Sequence, residues 1–160
     1  MYYIGMPKTR RIRSSKPKTR RMRKMSSLTN KKNFTKEAIV LQFIEMLNTV
    51  KLFHWKTNSY AKHKATDDLY SELNGNIDSF VEVMLGKSGS RLDLQRVKSI
   101  PLCAYNSAED FKRKIEEYKQ YLIDMTASGT LNLSTNSDLL NIRDEILGNI
   151  NKFLYLLTFK

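Results

Sequence analysis

Four stretches of about twenty residues repeat apolar side chains every third or fourth position. This period commits most of the chain to amphipathic helices and leaves no long alternating stretch for strands. The first runs from about Thr35, a natural N-cap, to Lys56, with Ile39, Val40, Phe43, Ile44, Leu47, Val50 and Phe53 in its stripe. The second runs from about Tyr60 to Leu85, with Gly86 as its stop. Its stripe is Leu69, Tyr70, Leu73, Ile77, Phe80, Val81, Met84 and Leu85, and it keeps phase across the turn-like Asn74-Gly75-Asn76. The third runs from about Ala108 to Thr126, with Ser107 as N-cap, Asp110 at the capping-box position and Ser128-Gly129 as the stop. Its stripe is Phe111, Ile115, Tyr118, Tyr121, Leu122 and Met125. The fourth runs from about Ser137 to Leu157, through Leu139, Leu140, Ile142, Ile146, Leu147, Ile150, Phe153 and Leu154. Residues 87–106 form a long connection, with a short helix expected at 92–97 and Pro101 ending it. The expectation is an all-α four-helix bundle. Helices one and two, and three and four, form antiparallel hairpins. The long link between helices two and three allows a crossover along the bundle.

Charge divides the 160 residues in two. Residues 1–32 hold twelve of the 28 Lys and Arg residues and none of the 16 acids, so the whole net charge of +12 resides there. Pro7-Lys8-Thr9-Arg10-Arg11-Ile12-Arg13 recurs as Pro17-Lys18-Thr19-Arg20-Arg21-Met22-Arg23. With two prolines and few apolar residues this segment has no core to bury and is expected to be disordered when free. The expected domains are a basic tail, 1–32, and a helical domain, 33–160. Lys8, Arg10, Arg11, Arg13, Lys16, Lys18, Arg20, Arg21, Arg23 and Lys24 suit a polyanion, DNA first, held by counterion release without reading bases. A nuclear-import or solubility tail has the same composition. So does a mitochondrial presequence, although the prolines oppose its amphipathic helix. Met25 could serve as an alternative start, which would remove ten of the twelve basic residues.

Other classes are excluded by composition. One cysteine, Cys103, rules out a disulfide scaffold and a Cys-rich zinc module, and its expected place is that of a small buried residue. No apolar run reaches the ~20 residues of a membrane span, and no secretory h-region follows the basic start. An intracellular location, or a virion, is expected.

The second helix carries the chemistry. Taking His63 as zero, Asp67, Asp78 and Glu82 fall at about 40°, 60° and 100° around the helix, all on one face. His63/Asp67 and Asp78/Glu82 are i, i+4 pairs, the spacing at which two side chains reach one ion. The pairs stand about 28 Å apart at the ends of that span, too far to share an ion within one chain. They are, however, symmetric about residues 72–73. An antiparallel copy across a two-fold axis there sets His63 opposite Glu82 and Asp67 opposite Asp78, making two identical sites. Gly75, near the axis, permits close approach. Imidazole and carboxylate together suit iron, manganese or zinc. A solvated acidic face is the plain alternative. His54 ends the first helix, and a short hairpin brings it towards His63; otherwise it is a cation at a helix C-terminus.

His54-Trp55, then His63 with Asp67, then Asp78 with Glu82, resembles the Dps family of mini-ferritins. There a His-Trp pair ends the first helix and the second carries His, Asp, Asp and Glu at these spacings. The two histidines here stand closer in sequence than in typical Dps chains. Leu52-Phe53-His54-Trp55-Lys56-Thr57, Tyr60-Ala61-Lys62-His63-Lys64-Ala65-Thr66 and Leu154-Tyr155-Leu156-Leu157-Thr158 look closest to Dps-like proteins of large DNA viruses and phages. The resemblance implies a ferritin-like fold and an intersubunit ferroxidase site. His54 and His63 come from one chain and Asp78 and Glu82 from the other, with Asp67 assisting. It also implies a homo-oligomer built from two-fold dimers into a twelve-subunit shell, and a tail that holds DNA. The expected activity is Fe(II) oxidation by peroxide or oxygen. The rivals are a non-enzymatic virion or genome-condensing protein on the same scaffold, and a helical adaptor with an import tail.

Overall fold

In the computed structural model, residues 34–159 are described, together with Met1. The expected tail disorder and the basic residues Lys8 to Lys24 lie outside the described residues. Contacts divide the chain into residues 1–31 and 32–160. The second unit contains four helices: α1 (Lys36–Lys56), α2 (Tyr60–Ser88), α3 (Ala108–Ala127) and α4 (Leu133–Leu156). No strand occurs among the described residues.

Each start is capped by a side chain that takes an otherwise unpaired backbone N–H. Thr35 accepts from Ala38, Ser59 from Lys62, Ser107 from Asp110 and Asn132 from Thr135. Three expectations need correction. α2 does not stop at Gly86. It continues one turn to Gly89, whose left-handed φ of 61° lets its N–H close on the Leu85 carbonyl. Residues 92–97 form no helix; they hold one turn, closed by Val97 N–H on the Leu94 carbonyl. Asp93 takes the Gln95 N–H instead, the kind of local bond that competes with a helix. α4 begins at Leu133, because Asn132 caps a preceding turn. Asn136 leaves helical geometry (φ −132°, ψ 30°), so the helix expected from Ser137 starts just past this kink.

The apolar stripes meet in one core. Phe43, Met46, Val50, Leu73, Phe80, Phe111, Ile115, Leu122, Met125, Ile146 and Ile150 are fully buried. Phe53 stacks on Phe111 at 3.9 Å, and Phe111 meets Phe153 edge-to-face at 5.9 Å, closing the core beneath the α1–α2 hairpin. α2 lies beside α1 and α4, and α3 beside the same two helices. Polar contacts fix the directions. Lys87 pairs with Asp138 and Lys152 with Glu72, each at 2.9 Å, so α2 and α4 run antiparallel.

The 89–107 connection travels the length of α1. Lys36, at the start of α1, donates to Ser90 Oγ (2.6 Å) and the Arg91 carbonyl (2.8 Å). Glu45, midway, receives the half-buried Cys103 thiol at 3.8 Å. Lys56, at its end, donates to the Asn106 side chain. α3 therefore starts at the hairpin end and runs parallel to α2. Glu45 also anchors the interior. It accepts from Tyr118 Oη (3.1 Å) and pairs with Lys114 (2.9 Å), while Tyr118 Oη lies 2.8 Å from the buried Thr49 hydroxyl.

Candidate metal centre

The three-residue link between α1 and α2 turns the chain so tightly that His54 and His63 face each other. Their rings stack at 3.9 Å with an interplanar angle of 23°. His54 Nδ1 lies 3.0 Å from the His63 carbonyl, and His63 Nδ1 lies 3.0 Å from the His54 carbonyl. A carbonyl only accepts, so each Nδ1 donates, and in the neutral ring Nε2 is then the nitrogen with the lone pair. Main-chain carbonyls hold both rings in the tautomer and orientation a metal ligand needs.

Thr66 completes the support. It is fully buried, its hydroxyl lies 2.8 Å from the Lys62 carbonyl and 2.9 Å from the His63 carbonyl, and its oxygen is 3.3 Å from His54 Nδ1. His54 is itself buried at 7% exposure, whereas His63 and Asp67 are exposed. Asp67 Oδ1 lies 3.8 Å from His54 Nε2. That is too long for a hydrogen bond. It is within the separation of two atoms that share an ion at ~2.1 Å from each.

Lys51 is the residue that spacing did not single out. Its ammonium is 3.9 Å from Asp67 Oδ1, 4.6 Å from the Tyr70 ring and 5.7 Å from the Trp55 ring. It partly neutralises Asp67 and competes with an incoming cation. Its position one turn before His54 was the available signal. Thr66, three residues after His63, was equally unmarked, because a buried threonine reads as core.

Asp78 and Glu82 sit on the same side of α2, far along the helix. Both are exposed, and neither has a hydrogen-bond or ion-pair partner among the described residues. One chain thus brings His54, His63 and Asp67 together and leaves Asp78 and Glu82 apart. Among the described residues, no group of three or more His, Cys, Asp or Glu converges tightly enough to hold an ion within a single chain. Chemically, one group is imidazole-rich and the other carboxylate-only.

The surface beside these residues is apolar in places. Leu41, Ile44 and Leu52 on α1 are half-buried, and Trp55 is 69% exposed. At Gly75 a Cβ would meet nothing within 4 Å, so nothing in this chain demands a glycine there. Among the described residues no helix is long and apolar enough to cross a membrane.

Comparison with known proteins places His54, His63, Asp67, Asp78 and Glu82 inside the segment matched by one family. The model of a family of unknown function (DUF5856) matches residues 54–157, from His54 through α2, α3 and α4. An uncharacterised 14.6 kDa protein in the mobD-ri intergenic region of Enterobacteria phage T4 is 53% identical over 38 residues. That match spans 24% of this chain and 30% of the phage protein. No solved structure matches.

Proposed function

The chain belongs to the DUF5856 family, and we propose that it is a Dps-type protein. In this reading it binds and oxidises Fe(II) between subunits and holds DNA through its basic tail. The observation that carries the reading is the division of ligands along α2. His54 and His63, each with Nδ1 held by a carbonyl, stand beside Asp67 at one end, and Asp78 and Glu82, without partners among the described residues, stand at the other. A two-fold copy centred near residues 72–73 unites the halves twice. The long connection along α1 supports a ferritin-like bundle. The open space at Gly75 and the half-buried apolar residues of α1 support a dimer contact across that axis.

Fe(II) is the substrate here, with zinc or manganese as the other ions such ligands suit. His54 and His63 bind through Nε2. Glu82 and Asp78 of the other chain would supply the carboxylate ligands, Glu82 as the bridging one, with Asp67 assisting beside the histidines. The electron transfer to peroxide or oxygen belongs to the metal; the protein orients and encloses it. Residues Lys8 to Lys24 add a salt-sensitive DNA contact with no base reading.

A second reading is a non-enzymatic, genome-condensing virion protein. Lys51 favours it, because its ammonium stands 3.9 Å from Asp67 and offsets the charge of that carboxylate.

Trp55 is the only tryptophan and adjoins His54. Anaerobic Fe(II) titration of the purified oligomer, followed by Trp55 fluorescence, separates the readings. Quenching that saturates at about two irons per site or fewer, with rapid oxidation on adding peroxide, is expected. No response, with oligomer and DNA binding intact, would leave the condensing protein.

A further inference from the structure

Exposed aromatic rings collect at one end of the bundle. Among the described residues these are Trp55, Tyr60, Tyr155 and Phe159, and all four flank the α1–α2 hairpin or the C-terminus of α4. Tyr60 is 81% exposed and Phe159 59%. Tyr155 and Phe159 meet edge-to-face with centroids 5.0 Å apart. Trp55 belongs to the outer face of α1, next to Lys51. Tyr60 and Phe159 line the seam between α2 and α4.

That seam is concave. A groove of ≈ 490 Å³ opens there, walled by Tyr60, Lys62, Lys64, Asp68, Leu156 and Phe159. A second cleft of ≈ 390 Å³ shares Ser59 and Lys62 with it and adds Lys56. The two form a continuous track over the start of α2.

The charge along this track is positive. The track is lined by Lys56, Lys62 and Lys64 against one acid, Asp68. Lys64 is paired with Asp68 at 3.0 Å. Lys56 meets only the neutral Asn106 amide, and Lys62 has no ion pair among the described residues. The 29-residue α2 begins here with no acid in its first turn, so the positive end of its dipole is not offset.

Flat exposed rings edged by unpaired ammonium groups match a ligand that alternates flat apolar faces with anions. Single-stranded nucleic acid is that ligand. An apolar peptide has no use for the lysines, and a membrane surface meets projecting rather than concave apolar groups. We propose that the α2–α4 end of the bundle is a stacking site for single-stranded nucleic acid. Bases lie against Tyr60 and Phe159, and phosphates lie at Lys56, Lys62 and the start of α2. The site uses none of the proposed iron ligands, so it stands without the iron reading.

The test compares full-length protein on a fluorescent oligo(dT) of about fifteen nucleotides and on an abasic phosphodiester of equal length, by anisotropy. Both carry the phosphates; only one carries bases. One stacked base is worth about 5- to 150-fold in affinity, so oligo(dT) should bind at least about tenfold more tightly. Tyr60→Ala/Phe159→Ala should reduce oligo(dT) to the abasic level and leave abasic binding unchanged. Both side chains are exposed, so the fold should survive. As a check on unaltered protein, 5-iodouracil in the oligonucleotide should photo-crosslink to Tyr60, Tyr155 or Phe159. Equal affinity for the two oligomers, a preference that persists in the double variant, or crosslinks confined to residues 1–32 would each overturn the proposal. So would anionic vesicle binding that the double variant loses, if it came with no base preference. Failure of the tail reading would instead appear as weak abasic binding.

Discussion

Removing one oxygen, in Tyr118→Phe, tests how the bundle holds its crossover. Tyr118 is 1% exposed, and its hydroxyl lies 2.8 Å from Thr49 and donates to Glu45 at 3.1 Å. Glu45 keeps Lys114 after the change, but the fully buried Thr49 hydroxyl loses this partner. Orphaning a buried hydroxyl costs about 1–3 kcal/mol, so a loss of about 2 kcal/mol is expected in urea unfolding. Thr49→Val should cost less, because Tyr118 retains Glu45. The double variant leaves no orphan in this pair and should lose less than the two single losses together, by about 1 kcal/mol. Alkali provides a second readout. Burial pushes the Tyr118 hydroxyl well above its ordinary pKa, whereas the unfolded phenol ionises near ~10. Above that pH the unfolded state binds fewer protons than the folded state, so wild-type stability falls by up to about 1.4 kcal/mol per pH unit. Phenylalanine removes this loss, so the penalty of Tyr118→Phe should shrink as pH rises past ~10. Additive single losses, or parallel pH curves for the two proteins, would refute the reasoning.

Three further outcomes are expected. Asp78→Ala/Glu82→Ala should abolish saturable metal quenching of Trp55 while changing urea stability by no more than about 0.5 kcal/mol, since both side chains are exposed and have no partner among the described residues; retained quenching would reject the ligand assignment. A chain started at Met25 should keep metal binding and lose most of the salt dependence of duplex DNA binding, read as the slope of log affinity against log salt. Gly89→Ala should cost about 1 kcal/mol because its φ of 61° disfavours a Cβ, whereas Gly75→Ala, with nothing within 4 Å, should stabilise the folded chain by about 0.5–1 kcal/mol in denaturation and weaken any dimer in sedimentation.

Helix number, order and approximate bounds were legible because a 3.6-residue apolar period is a local property that burial enforces directly. All six residues expected in the α3 stripe are buried. The sequence misled where local signals competed. Gly86 stood ready to stop α2, yet it stays helical, and the helix closes instead on the left-handed Gly89. The apolar text at 92–97 looked helical, but a short isolated helix does not repay its nucleation, and the segment is an extended connection with one turn.

The candidate ligands divide in the same way. Sequence alone fixed that His63, Asp67, Asp78 and Glu82 share one face, since residues on a continuous helix have set angles. It also fixed that one chain cannot bring both pairs to one ion, since the rise per residue sets their distance. Only the tertiary structure decided that His54 meets His63 ring to ring, that each carbonyl holds the other ring's Nδ1, and that Thr66 and Lys51 join them. Those contacts depend on how a three-residue link directs two helix ends, and on which side chains the packing of α1 against α2 leaves facing each other. Helical period determines what lies on a face; only the packed bundle determines what that face meets.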